Sequence, residues 1–244
     1  MAAASKPDYG LDAPTMVKRM LSRGAWTLAF AIAIYLVNRA EYPGPAGALL
    51  RVLGAIGVIF LVIGGFMVWS SRVGKLQVRE RILDSLALQG DERVLDVGCG
   101  RGLLVIGAAK RLKSGKATGI DVWNPQDLSG NSADAAKENA KLEGVSDRVR
   151  IENCDARKLP YPAHNYDAVV SCLAIHNIPD REGRDQAVRE MWRVLKPGGR
   201  LVIFDIFRTG EYAACLRECG AVDVTLSALS FLWCAPSRTL TARK

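Results

Sequence analysis

The segment Arg93–Gly102 constrains this chain more than any other, because a short apolar run passes directly into a series of glycines. Val94–Val97 has the length and apolarity of a buried strand, three glycines follow, and a helical pattern covers residues 103–112. A glycine turn between the end of a strand and the start of a helix lets the backbone approach a ligand closely, because no Cβ atoms intervene. The segment therefore indicates a site for a nucleotide-like ligand.

Apolar runs of strand length alternate with helical patterns from this turn to the end of the chain. The predicted strands are Val94–Val97, Ala117–Asp121, Val149–Glu152, Ala168–Cys172, Arg200–Phe204, Val222–Leu226 and Thr239–Ala242, and the predicted helices are 76–88, 103–112, 132–142, 183–194 and 210–219. This alternation predicts a Rossmann-like α/β fold with a mostly parallel seven-stranded sheet and ligand sites at the carboxyl ends of the strands. No helix separates the last two strands, so we expect an antiparallel closing hairpin.

Two apolar runs precede this pattern and divide the chain into an N-terminal membrane region, residues 1–75, and a soluble α/β domain, residues 76–244. Val52–Trp69 contains no charged residue and is as long as a transmembrane helix. Ala25–Val37 is shorter than the hydrocarbon core of a bilayer.

The shorter run reaches the length of a span if its helix begins near Met20, with the side chain of Arg23 extended to the headgroups. We therefore predict two transmembrane helices, over about 20–38 and 50–70, joined by a turn at 38–45 that contains two prolines and a glycine.

Most of the excess positive charge of the chain lies in the region of these two helices, which favours an anionic lipid bilayer as a partner. The net charge is +8, and basic residues flank the helices at Lys18, Arg19, Arg23, Arg72, Lys75, Arg79 and Arg81. The positive-inside rule then places both termini and the soluble domain in the cytoplasm. A cleaved signal peptide is the alternative. We find no basic stripe with interleaved aromatic residues, so no nucleic-acid partner is expected.

Small residues recur at helical intervals in both apolar runs. Ala25, Ala29 and Ala33 form a stripe on the first predicted helix, and Gly47, Gly54, Gly57, Gly64 and Gly65 fall on one side of the second. Such faces permit close helix contact in lipid. They predict packing within the hairpin or, alternatively, a homodimer through the glycine face.

Three acidic residues and a later glycine pair follow the glycine turn in a fixed order. Asp96 lies in the first strand, Asp121 ends the second, and Asp155 follows the third; Asn165–Ser171 and Val194–Ile203, which contains Lys-Pro-Gly-Gly, come next. In these segments residues 80–244 resemble the class I S-adenosylmethionine-dependent methyltransferases, in particular the small-molecule group that includes the quinone-biosynthesis C-methyltransferases.

The resemblance implies a seven-stranded methyltransferase fold with S-adenosyl-L-methionine as methyl donor and S-adenosyl-L-homocysteine as product. It implies that Asp96, Gly98, Gly100 and Gly102 shape the methionine pocket, that Asp121 binds ribose, that Val122 or Trp123 packs on adenine, that Asp155 and Ala156 bind its edge, and that Ser171, Cys172 and Leu173 lie beneath the sulfonium. The alternatives are helix or turn capping for Asp96 and Asp155 and a surface position for Asp121.

The loop 122–132 is several residues longer than is usual in the family that the chain resembles. We expect this loop to cover the cofactor or to contact the acceptor. The alternative is that its last residue, Ser132, simply caps the next helix.

His176, in the loop after the fourth strand, is the candidate catalytic base. In the family that the chain resembles this loop faces the methyl acceptor, and a hydroxyl or carbon acid requires a base. The alternative is a histidine that hydrogen-bonds backbone within its loop. Weaker candidates are Tyr161, Tyr166, Asp180 and Asp205, and His164 is expected to face solvent.

The six cysteines form no Cys-x-x-Cys pair and have no histidine at metal-ligand spacing, so no metal site is predicted. Reduced thiols in the cytosol are expected, with Cys215 and Cys219 in the core.

The coupling of two spans to a short methyltransferase-like domain predicts a membrane enzyme with a lipophilic or amphiphilic acceptor, such as a phospholipid amine or a quinone. We expect Leu229–Cys234 to border the acceptor entrance. Two alternatives are an enzyme for a small thiol, amine or oxyanion that is merely tethered to the membrane, and an adenosylmethionine-binding membrane module without turnover.

Overall fold

The computed structural model describes residues 6–37, 45–233 and 235–244. Most of the predicted turn over 38–45 and Cys234 therefore lie outside the described residues.

A seven-stranded sheet of order β3-β2-β1-β4-β5-β7-β6 forms the centre of the α/β domain. The strands are β1 (Arg93–Val97), β2 (Lys116–Asp121), β3 (Val149–Asn153), β4 (Tyr166–Cys172), β5 (Leu195–Ile206), β6 (Val222–Leu226) and β7 (Ser237–Arg243). The first five are parallel, and β7 is antiparallel to both β5 and β6. The predicted sheet and closing hairpin are confirmed, although β5 begins earlier than predicted.

Helices cover both faces of the sheet and bury two apolar cores. They are α3 (Lys75–Ser85), α4 (Leu103–Arg111), α5 (Ala133–Leu142), α6 (Arg181–Val194) and α7 (Thr209–Glu218). Because successive strand residues face opposite sides, Val94 packs in the core beneath α3 and α4, whereas Leu95 packs in the core beneath α6 and α7. Both side chains are fully buried.

The N-terminal region forms two packed antiparallel helices, α1 (Pro14–Val37) and α2 (Pro45–Trp69). Three of their glycines meet the facing helix so closely that an added Cβ would come within about 3 Å of it: Gly24 faces Leu61, Gly57 faces Leu28, and Gly64 faces Leu21. Gly54 and Gly65 have no described atom within 4 Å of such a Cβ. The predicted glycine face is thus divided between a packed stripe and an open one.

Among the described residues, one helix, Gly47–Ser85, is long and apolar enough to cross a membrane. It comprises α2, a π-helical turn (Ser70–Gly74) and α3 without a break. The prediction of two such helices is not confirmed, because α1 carries basic residues through its first half and its apolar run is short. Both helices nevertheless expose large apolar side chains, such as Trp26 at 78% and Val62 at 64%.

Candidate active site

A cavity opens at the carboxyl ends of the parallel strands, where the order of the strands brings the predicted site residues together. Its lining includes Asp96, Gly98, Gly100, Asp121, Val122, Asp155, Ala156, Cys172 and Leu173. Four predicted residues, Gly102, Trp123, Ser171 and His176, are not part of this lining.

The glycine turn forms one wall of the cavity by bringing backbone atoms to its surface. Gly98 has φ +76°, and a Cβ at this position would collide with Ala174. The amide of Gly100 donates to Oδ2 of Asp121 at 2.8 Å. Gly102 instead has φ +90° and begins α4, which explains its position outside the cavity.

Asp96 both caps the first turn of α4 and lines the cavity. Its Oδ2 accepts a hydrogen bond from the amide of Val105 in the first turn of α4 at 2.9 Å. Burial raises the pKa of Asp96 to about 8, because little solvent stabilises its charge. The carboxyl group is therefore neutral over much of the physiological pH range.

Asp121 and the two residues after it determine the shape of the cavity beside β2. Oδ1 of Asp121 accepts from the amide of Trp123 at 2.6 Å, which turns the chain sharply and gives Trp123 a φ of +61°. Val122 consequently lines the cavity with 61% of its surface exposed, while Trp123 packs against the apolar core beneath α4. Of the two residues predicted to pack on adenine, Val122 lines the cavity and Trp123 does not.

Asp155 and Ala156 line the cavity beyond β3, as predicted from their position in the chain. The guanidinium of Arg157 lies 2.6 Å from Oδ2 of Asp155 and lowers the pKa of that carboxyl group. Asp155 is therefore ionised, and both of its oxygens accept hydrogen bonds from Arg157, including one from the Arg157 amide that caps the turn after β3.

The three predicted residues at the end of β4 have different roles: Ser171 is structural, whereas Cys172 and Leu173 line the cavity. Ser171 is fully buried, and its hydroxyl donates to the carbonyl of Val97 at 2.8 Å, so it joins β4 to β1 rather than facing the cavity. Cys172 and Leu173 line the cavity, with Leu173 at φ +55°. Burial raises the pKa of the Cys172 thiol well above its ordinary value, so Cys172 is neutral.

His176 lies beside the cavity, between the lining residues Ile175 and Asn177, and its ring is oriented by Asp205. Its Nδ1 is 2.5 Å from Oδ1 of Asp205, a fully buried carboxylate at the end of β5. Because this contact occupies Nδ1, Nε2 is the nitrogen available for proton transfer; among the described residues no hydrogen bond ends on it. The alternative of a histidine held only by backbone is therefore not what the structure shows.

The weaker candidates for a base have structural partners away from the cavity lining. Tyr161 donates to Glu152 at 2.6 Å and meets Tyr166 edge to face. Asp180 caps α6 by accepting from the amide of Gly183 at 2.6 Å. His164 is exposed, as expected, and its Nδ1 contacts the carbonyl of Leu195 at 3.1 Å.

The long loop 122–132 binds a segment that sequence analysis missed. Residues 8–13, here called the strap, lie along it, with the amide of Leu11 donating to Oγ of Ser129 at 2.7 Å and the amide of Ala13 donating to the carbonyl of Asp127 at 3.2 Å. Ser132 also caps α5, as its hydroxyl accepts from the amide of Ala135 at 3.1 Å. The unusual length of the loop was the one signal for an additional contact.

Both the glycine backbone and the polar side chains that line the cavity suit S-adenosylmethionine. Gly98 and Gly100 leave space for a close approach, and Asp121 and Asp155 supply acceptors for hydroxyl and amino groups. A further acceptor on the lining, Oδ1 of Asn131, is buried without a hydrogen-bond donor. Buried acceptors of this kind are costly unless a ligand or water supplies the donor.

Residues 94–199 match the sequence profile of a methyltransferase-domain family. The chain is 36% identical to methyltransferase GfsG of Streptomyces halstedii over 134 residues, which cover 55% of this chain and 45% of the relative. It is 39% identical to demethylmenaquinone methyltransferase of Deinococcus radiodurans over 113 residues, which cover 46% and 42%. The chain thus spans less than half the length of these two relatives.

The fold is also similar to that of geranyl diphosphate C-methyltransferase from Streptomyces coelicolor, whose structure contains S-adenosyl-L-homocysteine. The TM-score is 0.56 at 17% sequence identity, with 68% of this chain and 78% of that chain covered. These similarities show a methyltransferase domain over residues 94–199, within a fold similar to that of methyltransferases of known structure.

Proposed function

We propose that the protein is a membrane-anchored methyltransferase whose acceptor is a lipophilic or amphiphilic molecule of the quinone type. The observation that carries this proposal is the continuous helix Gly47–Ser85, which runs from an apolar segment of membrane length to the wall of the cofactor cavity. An acceptor dissolved in the bilayer is then already concentrated beside the site.

The hairpin of α1 and α2 suits a two-pass anchor with both ends in the cytoplasm. Its large exposed apolar side chains favour lipid contact, and Lys18, Arg19 and Arg72 are exposed at the ends that join the domain. Lys75 cannot be counted among these flanking cations, since its side chain is 5% exposed and points into the domain.

The apolar segment 229–233 lies beside α3 and reaches the cavity. The carbonyl of Leu232 packs against Gly74 where α2 passes into α3, and the next residue, Trp233, lines the cavity. Phe231 and Leu229 remain 64% and 50% exposed in the same segment. This arrangement supports the predicted position of the segment at the acceptor entrance.

The chemistry requires a positioned acceptor and, for a hydroxyl or carbon acid, a base. When bound, S-adenosylmethionine supplies an electrophilic methyl group on a sulfonium. Asp205 holds the ring of His176 through Nδ1, so Nε2 accepts the proton that the acceptor loses. Ile175 and Leu173 give the adjacent wall an apolar surface that excludes water from the acceptor.

The proposal is tested with the full chain in lipid nanodiscs and three acceptors. These are a demethylated quinone with a long prenyl tail, the same headgroup without a tail, and phosphatidylethanolamine. We expect S-adenosylhomocysteine release and a methylated product with the tailed quinone, with kcat/KM at least about tenfold above that of the free headgroup, because the tail partitions into the bilayer.

Equal rates with the two quinones would overturn the lipophilic acceptor and favour a tethered small-molecule enzyme. Methylation of phosphatidylethanolamine alone would overturn the quinone class, and the absence of product with every acceptor would favour a module without turnover.

A further inference from the structure

Two charged side chains from outside the α/β sheet line the cofactor cavity. Asp12 belongs to the strap and precedes α1, whereas Lys75 is the first residue of α3 and follows α2. Nζ of Lys75 lies 3.0 Å from Oδ2 of Asp12, with the side chains 5% and 22% exposed. The pair therefore connects the two ends of the hairpin at the wall of the cavity.

Lys75 and Asp12 do not use all of their hydrogen-bond donors and acceptors on each other. Nζ of Lys75 donates to the carbonyls of Tyr9 and Gly10 at 2.8 and 2.6 Å, which directs two of its three protons away from Asp12. Oδ2 of Asp12 is buried close to the ammonium of Lys75, but no hydrogen bond to this oxygen has good geometry. A ligand that donates a hydrogen bond to Oδ2 would therefore add an interaction that the ion pair leaves unfilled.

The pair lies on the side of the cavity that Cys172 lines. Asp155 follows β3 at one side of the sheet order, and Cys172 ends β4 on the other side of β1. Gly74, next to Lys75, packs against the carbonyl of Leu232, and the following residue, Trp233, belongs to the same apolar cluster as Cys172. Lys75, Asp12, Trp233 and Cys172 all line the cavity, so the pair lies near the end of β4, where the methionine end of the cofactor is expected.

We propose that Lys75 and Asp12 bind the amino-acid end of S-adenosylmethionine, with the ammonium of Lys75 contacting its carboxylate and Oδ2 of Asp12 accepting from its α-ammonium group. This end of the cofactor is a zwitterion, and an adjacent cation and anion complement it so that the four charges alternate. The proposal rests on the assignment of the cofactor but not on the identity of the acceptor. It makes the base of the hairpin part of the cofactor site.

Binding of three ligands to the full chain in nanodiscs, measured by calorimetry, tests the proposal. S-adenosylmethionine has both charged groups, its decarboxylated form has only the ammonium, and 5′-methylthioadenosine has neither. We expect Lys75→Met to weaken binding of S-adenosylmethionine about 10- to 100-fold and to leave the other two ligands unchanged. Asp12→Asn should weaken binding of the first two by a similar factor and leave methylthioadenosine unchanged.

Matched controls remove an exposed cation and an exposed carboxylate that do not line the cavity. Arg72→Met changes the turn before Lys75, and Asp134→Asn changes a side chain that is 96% exposed; both should bind all three ligands as the wild type does.

Equal weakening of all three ligands would overturn the proposal, because it would show that the pair only supports the cavity wall. Unchanged affinities would overturn it as well. Asp12→Asn preserves side-chain size, so its result decides the proposal if Lys75→Met does not fold. Failure of the wild type to bind any of the ligands would refute the cofactor assignment instead.

Discussion

Nδ1 of His176 lies 2.5 Å from Oδ1 of Asp205, and Oδ2 of the same carboxylate accepts a hydrogen bond from the backbone amide of His176 at 3.1 Å. The two contacts fix both the ring and the loop that carries it. Such an arrangement holds Nε2 in one position for proton transfer.

We expect His176→Gln to reduce kcat about 100- to 10,000-fold with an acceptor that must lose a proton, because the base is absent. Affinity for S-adenosylhomocysteine, measured by calorimetry, should not change. A kcat close to that of the wild type would show that His176 is not the base.

Asp205→Asn should reduce kcat about 100-fold by removing the carboxylate that orients the ring, with little change in KM. Tyr212→Phe is the matched control, since its hydroxyl is 3.5 Å from Oδ2 of Asp205 and contributes little to that carboxylate's position. Rates of S-adenosylhomocysteine release distinguish the two variants. Equal losses in both would indicate a general effect on packing.

The buried carboxyl of Asp96 makes stability depend on pH. It keeps its proton up to about pH 8 in the folded protein, against an ordinary value of 3.8 in the unfolded chain. Unfolding therefore releases a proton between these values, so this group lowers the free energy of unfolding as the pH rises from about 4 to about 8.

Asp96→Asn removes this dependence but keeps an oxygen for the amide of Val105. Thermal unfolding in detergent at pH 5 and pH 8 should show the variant gaining stability relative to the wild type at the higher pH. Asp134→Asn, at a side chain 96% exposed, should show no such gain. A difference that is constant with pH would contradict the raised pKa.

The two stripes of glycines on α2 predict opposite responses to substitution. Gly57→Ala places a Cβ 2.9 Å from the backbone of Leu28 and should cost about 1–3 kcal/mol, because the helices must separate. Gly54→Ala adds a Cβ with no described atom within 4 Å and should leave the hairpin intact.

Thermal unfolding in detergent compares the two variants, and cross-linking tests self-association. Loss of stability in both would show that Gly54 also packs, for example against a second copy of the chain.

Exposed aromatic surface beside the entrance should contribute to acceptor binding. Phe231→Ser is expected to raise KM for a membrane-embedded acceptor about tenfold, because a large apolar contact is lost, without changing cofactor affinity. Val222→Ser is the control, as Val222 is 54% exposed but pairs with Arg243 at the other end of the β6–β7 hairpin from Phe231. Equal KM values in the two variants would place the entrance elsewhere.

Much of the fold was predictable because its signals are local. The strand from Val94, the glycines after it and the alternation of patterns depend on neighbouring residues, and the sheet followed from them. The cavity lining was predictable to the extent that it lies at the ends of these strands. Ser171 and Trp123 were misplaced because the direction of a side chain at the end of a strand depends on local backbone φ values and cross-strand partners.

Contacts between distant segments could not be predicted in this way. The partner of His176 is on another strand, and Asp205 was considered only as a competing base. Lys75 resembled a flanking cation, since no sequence pattern shows that the strap folds back over the domain to meet it. Both contacts depend on tertiary packing, to which periodicity is insensitive.

The unbroken passage from α2 into α3 sets the height of the reaction above the bilayer. Lys75 is six residues beyond Trp69, the end of α2, which at about 1.5 Å per residue corresponds to about 9 Å. The headgroup layer is about 5–8 Å deep on each side of the hydrocarbon core. With α2 in a membrane, the length of this helical connection would fix the cavity wall at the outer edge of the headgroups. A lipid could then present its polar end to the cavity while its tail stays in the bilayer.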